Sequence, residues 1–220
     1  FDPALDAILN ALQCNRASIL LYDEGNVMRF VAWRGLSDVY RRATEGHSPW
    51  TPDAENPEPL SIDNIETSDQ EEALKTVIRD EGISSLAFIP MVSNGKLIGK
   101  FMVYFNSLHA FARDELELGL TIARQLASNV ERKRAEEQLR KSAEFDSFRI
   151  TLADALRPLN DPLKIQMEVM RILGERLQVD RVLFSEIDEI NQVSVIHDNY
   201  VKEGISKIVG RMPLRDYGKA

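Results

Sequence analysis

Cysteine is almost absent from this chain: Cys14 stands alone in 220 residues. No internal disulfide can form, and no cysteine cluster exists for a structural zinc site. Histidine is scarce too, with three residues, His47, His109 and His197. None of them forms a paired His-x-x-x-His, and there is no glycine-rich phosphate loop and no Ser-His-Asp set in the local sequence. Basic charge is the minority sign, 27 Lys and Arg against 35 Asp and Glu, for a net charge of −8. A non-specific nucleic-acid binder would need the opposite balance. No run approaches the roughly 18 apolar residues of a membrane span, and no basic-then-apolar leader opens the chain. The expectation is a non-enzymatic protein of a reducing cytoplasm. Because the first residue is Phe1, it is expected to be a piece of a longer protein.

The composition that remains is globular, 44% hydrophobic and 28% charged. Phe1 to Gln13 has Leu5, Ile8, Leu9 and Leu12 at helical spacing. Strands at 16–22 and 27–34 flank the turn Asp23-Glu24-Gly25-Asn26. A brief helical turn fits 35–45, and four prolines make His47 to Pro59 a loop. Such a loop suits a lid or a pocket wall. A very short strand at Ser61-Ile62 precedes a helix from Ser68 to about Asp80, stopped by Gly82. Asn94-Gly95 then joins strands 85–92 and 96–105, with Pro90 marking an edge or a bulge. The predicted core of this part is Ile19, Leu21, Phe30, Leu86, Phe88, Ile98, Met102 and Tyr104.

From about 112 to 157 nothing but Gly119 interrupts a helix, which at 1.5 Å per residue spans about 65–70 Å. Residues 131–144 are overwhelmingly charged, whereas Phe145, Phe148, Leu152, Ala155 and Leu159 step by three and four like a heptad seam. A short parallel coiled coil is one reading, with Leu116, Ala123, Leu126 and Phe148 at or near a homodimer interface; a solvated single helix is the other. Beyond it, Leu177-Gln178-Val179-Asp180-Arg181 echoes Leu12-Gln13-Cys14-Asn15-Arg16, and Gly204-Ile205-Ser206 echoes Gly35-Leu36-Ser37. The second copy is expected to hold strands 181–187 and 192–201 as a hairpin. An isolated hairpin is marginal in water, so this one should lean on something outside its own unit.

The segments ASILLYDEGNVMRFVAWRGLSDVYRRATEGHSPW, LAFIPMVSNGKLIGKFMVYF and FARDELELGLTIARQLASNVERKRAE, in this order and spacing, resemble a GAF domain of bacterial multi-domain sensor proteins. The resemblance covers residues 1–132, and 148–220 resembles the beginning of a second GAF domain. It implies an α/β (α+β) fold, a GAF/PAS-like central antiparallel sheet flanked by helices with a ligand cleft and a long C-terminal signalling helix. The expected division is a GAF sensory domain at 1–112, a signalling helix or coiled-coil linker at 113–157, and the N-terminal part of a truncated second GAF domain at 158–220. The implied function is sensing by ligand or partner, relayed through a dimeric helix to an output such as a histidine kinase. A ligand-free structural dimerisation module and a haem or chromophore sensor are the alternatives.

The ligand classes of this family can be set against individual residues. A covalent bilin needs a cysteine thiolate at the pocket, and Cys14 sits instead where a small buried side chain belongs, matched by Val179 in the repeat. One cysteine also cannot run the redox cycle of a GAF-fold methionine sulfoxide reductase. A cyclic-nucleotide site is similar to Asn106, Phe111, Asp114 and Glu115, but Ser107 replaces its lysine and the spacing is one residue short. Haem would use His47 or His109, and His197-Asp198 only superficially resembles a kinase phosphoacceptor because VSVIHDNY alternates like a strand. A small organic ligand suits aromatic walls with few polar groups. The expected lining is Trp33, Arg34, His47, Ser48, Trp50, Phe88 and Tyr104, with core packing as the competing role for the tryptophans. Neither the ligand nor any cofactor is named by these residues.

Overall fold

A computed structural model describes residues 1–216. The chain folds as two units, residues 1–136 and the remainder. In the first, helix α1 (Asp2–Ala11) has Pro3 in its opening turn and buries Leu5 and Ile8. Strands β1 (Arg16–Tyr22) and β2 (Met28–Arg34) form a hairpin. Asp23 closes its turn by accepting from the backbone N–H groups of Gly25 and Val27, each at 2.9 Å. Helix α2 (Asp38–Thr44) is capped by Ser37, whose hydroxyl accepts from the Tyr40 amide at 3.1 Å. The proline-rich segment is a loop, as its composition requires. Strand β3 (Leu60–Ile62), a 3-10 turn (Ile65–Thr67) and helix α3 (Glu72–Asp80) follow.

Strands β4 (Ser85–Ser93) and β5 (Lys96–Phe105) turn through Asn94 and Gly95, at φ +51° and +74°, the left-handed pair that Asn-Gly supplies for a two-residue hairpin. The sheet is antiparallel throughout, in the order β2-β1-β5-β4-β3. Pro90 lies on β4 beyond the end of β3's pairing, where its missing N–H deprives no neighbour; the bulge falls next to it, between Met91 and Val92. Gly99 is required at the β1–β5 crossing. A Cβ there would stand 2.2 Å from the Leu20 carbonyl oxygen.

Alternation along the strands gives the sheet two covered faces. On one, Ala17, Ile19, Leu21, Ile89, Phe101 and Val103 cluster with Leu5, Ile8 and Leu12 of the α1 segment. The same cluster takes Ala123, Leu126, Ala127 and Val130 from helix α4 (Arg113–Leu156). Leu20, Met28, Leu86, Met102 and Tyr104 on the other face pack with Tyr40 of α2, Ile65 of the 3-10 turn and Ile78 of α3. Six of the eight predicted core residues are buried, and Phe30 and Phe88 are half-buried. The placement of Ala123 and Leu126 at a dimer interface is corrected. Their one-sided spacing reflects packing inside their own unit, where Gly119 brings the helix close to Ile89.

In the second unit, α5 (Pro162–Leu177) starts at Asp161, which accepts from the Leu163 amide at 3.0 Å. The expected hairpin exists but is broken. Strand β6 (Arg181–Leu183) pairs with β9 (Asn199–Val201), and β7 (Glu186–Asp188) with β8 (Val193–Ile196). The register slips by one residue between the two ladders, across Phe184-Ser185 and His197-Asp198. Local bonds compete with the ladder at the break. Asp198 accepts from the Asn199 amide at 2.7 Å, and the buried Asn199 side chain donates to the Ile208 carbonyl. A strand absent from the sequence reading, β10 (Gly210–Pro213), pairs with β8. The expectation of support from outside the unit is corrected in part, since β10 and α5 of the same unit supply some of it, with Gly174 of α5 against Tyr200.

Local geometry repeats between the units. Gln13 and Gln178 close α1 and α5 in the left-handed region at φ +47° and +53°, and Gly35 and Gly204 share it at +73° and +87°. A chain ended at residue 136 is expected to unfold cooperatively. One ended at 112 should lose its near-ultraviolet circular dichroism, since Leu126 and Val130 alone each contribute about 1.5–3 kcal/mol of burial. Equal melting temperatures for the two truncations would contradict this packing.

Candidate functional site

Helices α2 and α3 cover the face bearing Tyr104, and the proline-rich loop is hydrogen-bonded to it through Tyr22 and Lys100. At its centre Tyr104 is 0% exposed and its hydroxyl shares a 2.8 Å hydrogen bond with Ser18. Tyr40 meets it edge-on at 5.9 Å, and Met102 Sδ lies 3.4 Å from its oxygen. Burial holds both tyrosine hydroxyls well above the usual tyrosine range. They are fixed donors and acceptors.

Two bonds tie the loop down over the sheet. The Tyr22 hydroxyl donates to the Trp50 carbonyl at 3.0 Å, and Lys100 Nζ donates to the His47 carbonyl at 2.7 Å. Lys100 pairs with Leu20 across β1–β5 and so shares the face of Met102 and Tyr104. It is 2% exposed, its ammonium is 4.9 Å from the Phe88 ring, and no carboxylate pairs with it among the described residues. Desolvation pulls its pKa from 10.5 down to about 7.

The structure brings only some of the expected lining residues together. Phe88 and Tyr104 point to this face, and His47, Ser48 and Trp50 lie in the loop above it. The loop engages through carbonyl groups, while the His47 side chain is exposed. Trp33 is on the same face at the outer strand, with the Arg41 guanidinium stacked 3.6 Å above its ring. Arg34 is a correction. One residue on, it pairs with Ala17 and belongs to the opposite face, where Asp2 and Asp6 of α1 hold it at 2.7 and 3.4 Å. Lys100 and Tyr22 were missed. The signal for Lys100 was a lone charge inside the apolar run LIGKFMVYF, two and four residues before Met102 and Tyr104.

Other candidate groups sit elsewhere. Cys14 is buried in the α1 and α4 cluster on the opposite face, and burial pushes its thiol up to about 11. His109 stacks on Phe105 at 3.8 Å and bonds Glu115 through Nε2 at 2.9 Å, away from the loop. Asn106 donates its amide to Asn15 at 2.9 Å, and Phe111 stands edge-on to Phe105, so Asn106, Phe111, Asp114 and Glu115 build the β5–α4 connection. His197 lies between β8 and β9 rather than on a helix, 3.6 Å from Glu186. Among the described residues no cluster of three metal-ligating side chains occurs, and no helix is long and apolar enough to cross a membrane.

The first unit is thus a two-faced antiparallel sheet with one roofed face and a long exit helix. The family model described as GAF domain matches residues 1–130, and the chain belongs to that family. A domain of a protein named as a two-component sensor histidine kinase from Sinorhizobium meliloti 1021 is 50% identical, with a TM-score of 0.60 over 63% of this chain and 94% of that one. The blue-light-absorbing GAF domain of PixJ from Thermosynechococcus elongatus is 18% identical, with a TM-score of 0.55 over 66% and 90%. GAF3 of Slr1393 from Synechocystis, in its photoproduct state, is 17% identical, with 0.53 over 63% and 96%. At these two identities the likeness is one of fold. No curated protein matches the chain.

A buried lysine of depressed pKa makes stability depend on pH. Between about pH 7 and 10.5 the unfolded chain binds a proton that the folded chain does not, so stability rises with pH through this window. Cys14, Tyr40 and Tyr104 act in the opposite sense above about pH 9, and they do so equally in a Lys100→Met variant. Denaturant titrations from pH 7.5 to 9.5 should show wild type gaining on Lys100→Met by up to about 1.4 kcal/mol per pH unit. A constant difference would contradict the burial of the ammonium.

Proposed function

We propose that the chain is the sensing and relay part of a signal-transduction protein. A small ligand binds the roofed face beneath loop 47–59, and the long helix of a homodimer carries the change to a downstream output such as a histidine kinase. The observation that carries this reading is that β5 lines both the roofed face, with Lys100, Met102 and Tyr104, and the face on which α4 is rooted, with Phe101, Val103 and Phe105. A ligand that shifts β5 must alter the seat of the helix, because packed interiors transmit displacement. The 50% identity to a domain of a protein named as a sensor histidine kinase supports this kind of output.

Exposed Leu139, Phe145 and Ile150 on α4 favour a partner for the helix, whereas its Arg140 pairs with Glu137 and Glu144 of its own helix. Exposed ion pairs contribute only about 0–1 kcal/mol each, so dimerisation rests on the apolar positions. A purely structural dimerisation module is the second reading. It is favoured by the close packing of Met102 and Tyr104 beneath the loop.

Thermal unfolding of the full chain against a panel of small metabolites separates the two. A sensed ligand at 100 times its Kd adds about 2.7 kcal/mol, whereas a module without a ligand responds to none. Sedimentation at micromolar concentration should give a dimer; a 25.0 kDa species would count against the relay.

A further inference from the structure

Lys100 is an unusual side chain to bury. An ammonium removed from water needs a counter-charge or several acceptors, and this one has a single backbone carbonyl among the described residues. No carboxylate of the described residues stands within ion-pair reach of Nζ, those of Asp53, Glu55 and Glu58 on the roofing loop included, and several on the surrounding elements are engaged elsewhere. Asp23 and Glu45 hold Arg29, Asp38 holds Arg41, and Glu81 holds Arg16 and the Ser37 hydroxyl. Glu66 and Glu72 hold Arg79. The protein therefore places no anion beside the amine that it has enclosed, and an anion brought there would favour the protonated form. The single acceptor, moreover, belongs to the loop that roofs the face.

We propose that the roofed face binds a small organic monocarboxylate, with Lys100 as its counter-ion, the carboxylate taking the place of the His47 carbonyl. The proposal rests on the ligand-sensing reading given above and names the ligand's class. The carboxylate accepts from Nζ, and the half-buried Phe88, Phe30 and Tyr22 offer an apolar wall to the rest of the molecule. A phosphate ester fits less well. It needs several converging donors, and on this side Arg16 and Arg41 are already ion-paired. Binding exchanges a neutral acceptor for a charged one and frees the loop at His47. Occupancy is thereby tied to loop position.

The test is nitrogen–proton correlation spectroscopy of the full chain titrated with acetate, octanoate, benzoate, phenylacetate and indole-3-acetate. The neutral amide of each acid serves as its paired control. At least one acid is expected to bind saturably, with shifts at the amides of Lys100, His47, Ser48, Trp50 and Thr51, and its amide at least tenfold more weakly. Lys100→Met, which keeps the length of the side chain, should reduce that acid's affinity at least tenfold. The acid–amide comparison on wild type stands even where the variant fails to fold. Equal binding of acid and amide, or an unchanged affinity in Lys100→Met, overturns the counter-ion role while leaving a ligand site. Failure of every acid, with neutral compounds from the metabolite panel still binding, overturns the carboxylate class alone. Failure of every compound, charged or neutral, overturns the carboxylate proposal and the ligand-sensing reading together.

Discussion

Strand β5, paired with β1 on one side and β4 on the other and covered on both faces, is buried at every residue from Leu97 to Phe105. A strand in that position has no solvent face on which to place a charge. Its apolar residues divide between two cores, and whatever covers one core is separated from the other by the thickness of a single sheet. The rest of the first unit follows from this arrangement. Helices α1 and α4 cover one face because Leu5, Ile8, Ala123 and Leu126 have nowhere else to bury; α2, α3 and the loop cover the other. Lys100 is the exception within the strand, and it defines the candidate site.

Much of the fold was legible because strand and turn chemistry is local. Asn94-Gly95 sets its hairpin through two left-handed residues, and β1 and β5 begin and end where alternation and turn signals place them. The broken hairpin of the second unit was not legible. Its interruption depends on the Asn199 side chain bonding Ile208, nine residues away, and β10 on pairing with β8. Neither leaves a periodic trace in sequence. The ambiguity of α4 has the same root. Residues such as Ala123 and Leu126 have the spacing of a buried stripe, and spacing alone does not say whether the buried face meets a sheet or a second helix.

The site was legible in outline and blurred in its chemistry. The proline-rich loop reveals a roof by composition, and Phe88 and Tyr104 fall on the right face by alternation. Arg34 shows how finely alternation decides. The residue before it, Trp33, faces the roof, whereas Arg34 is taken by two aspartates of α1. Aromatic side chains drew attention because pockets favour them, yet the loop is fastened by backbone carbonyls at His47 and Trp50. Carbonyl contacts cannot be read from residue types. The lone lysine in an apolar strand could be.

Coupling between the two faces of β5 is the central claim, and hydrogen exchange of the full chain addresses it most directly. In Lys100→Met the loop loses its bond from Nζ, and exchange at the amides of His47, Ser48, Trp50 and Thr51 should quicken. If the sheet carries that change across its thickness, amide protection at Gly119–Val130 of α4 should shift as well, although none of those residues touches the substituted side chain. A change confined to the loop, with the helix amides unaltered, would contradict the account.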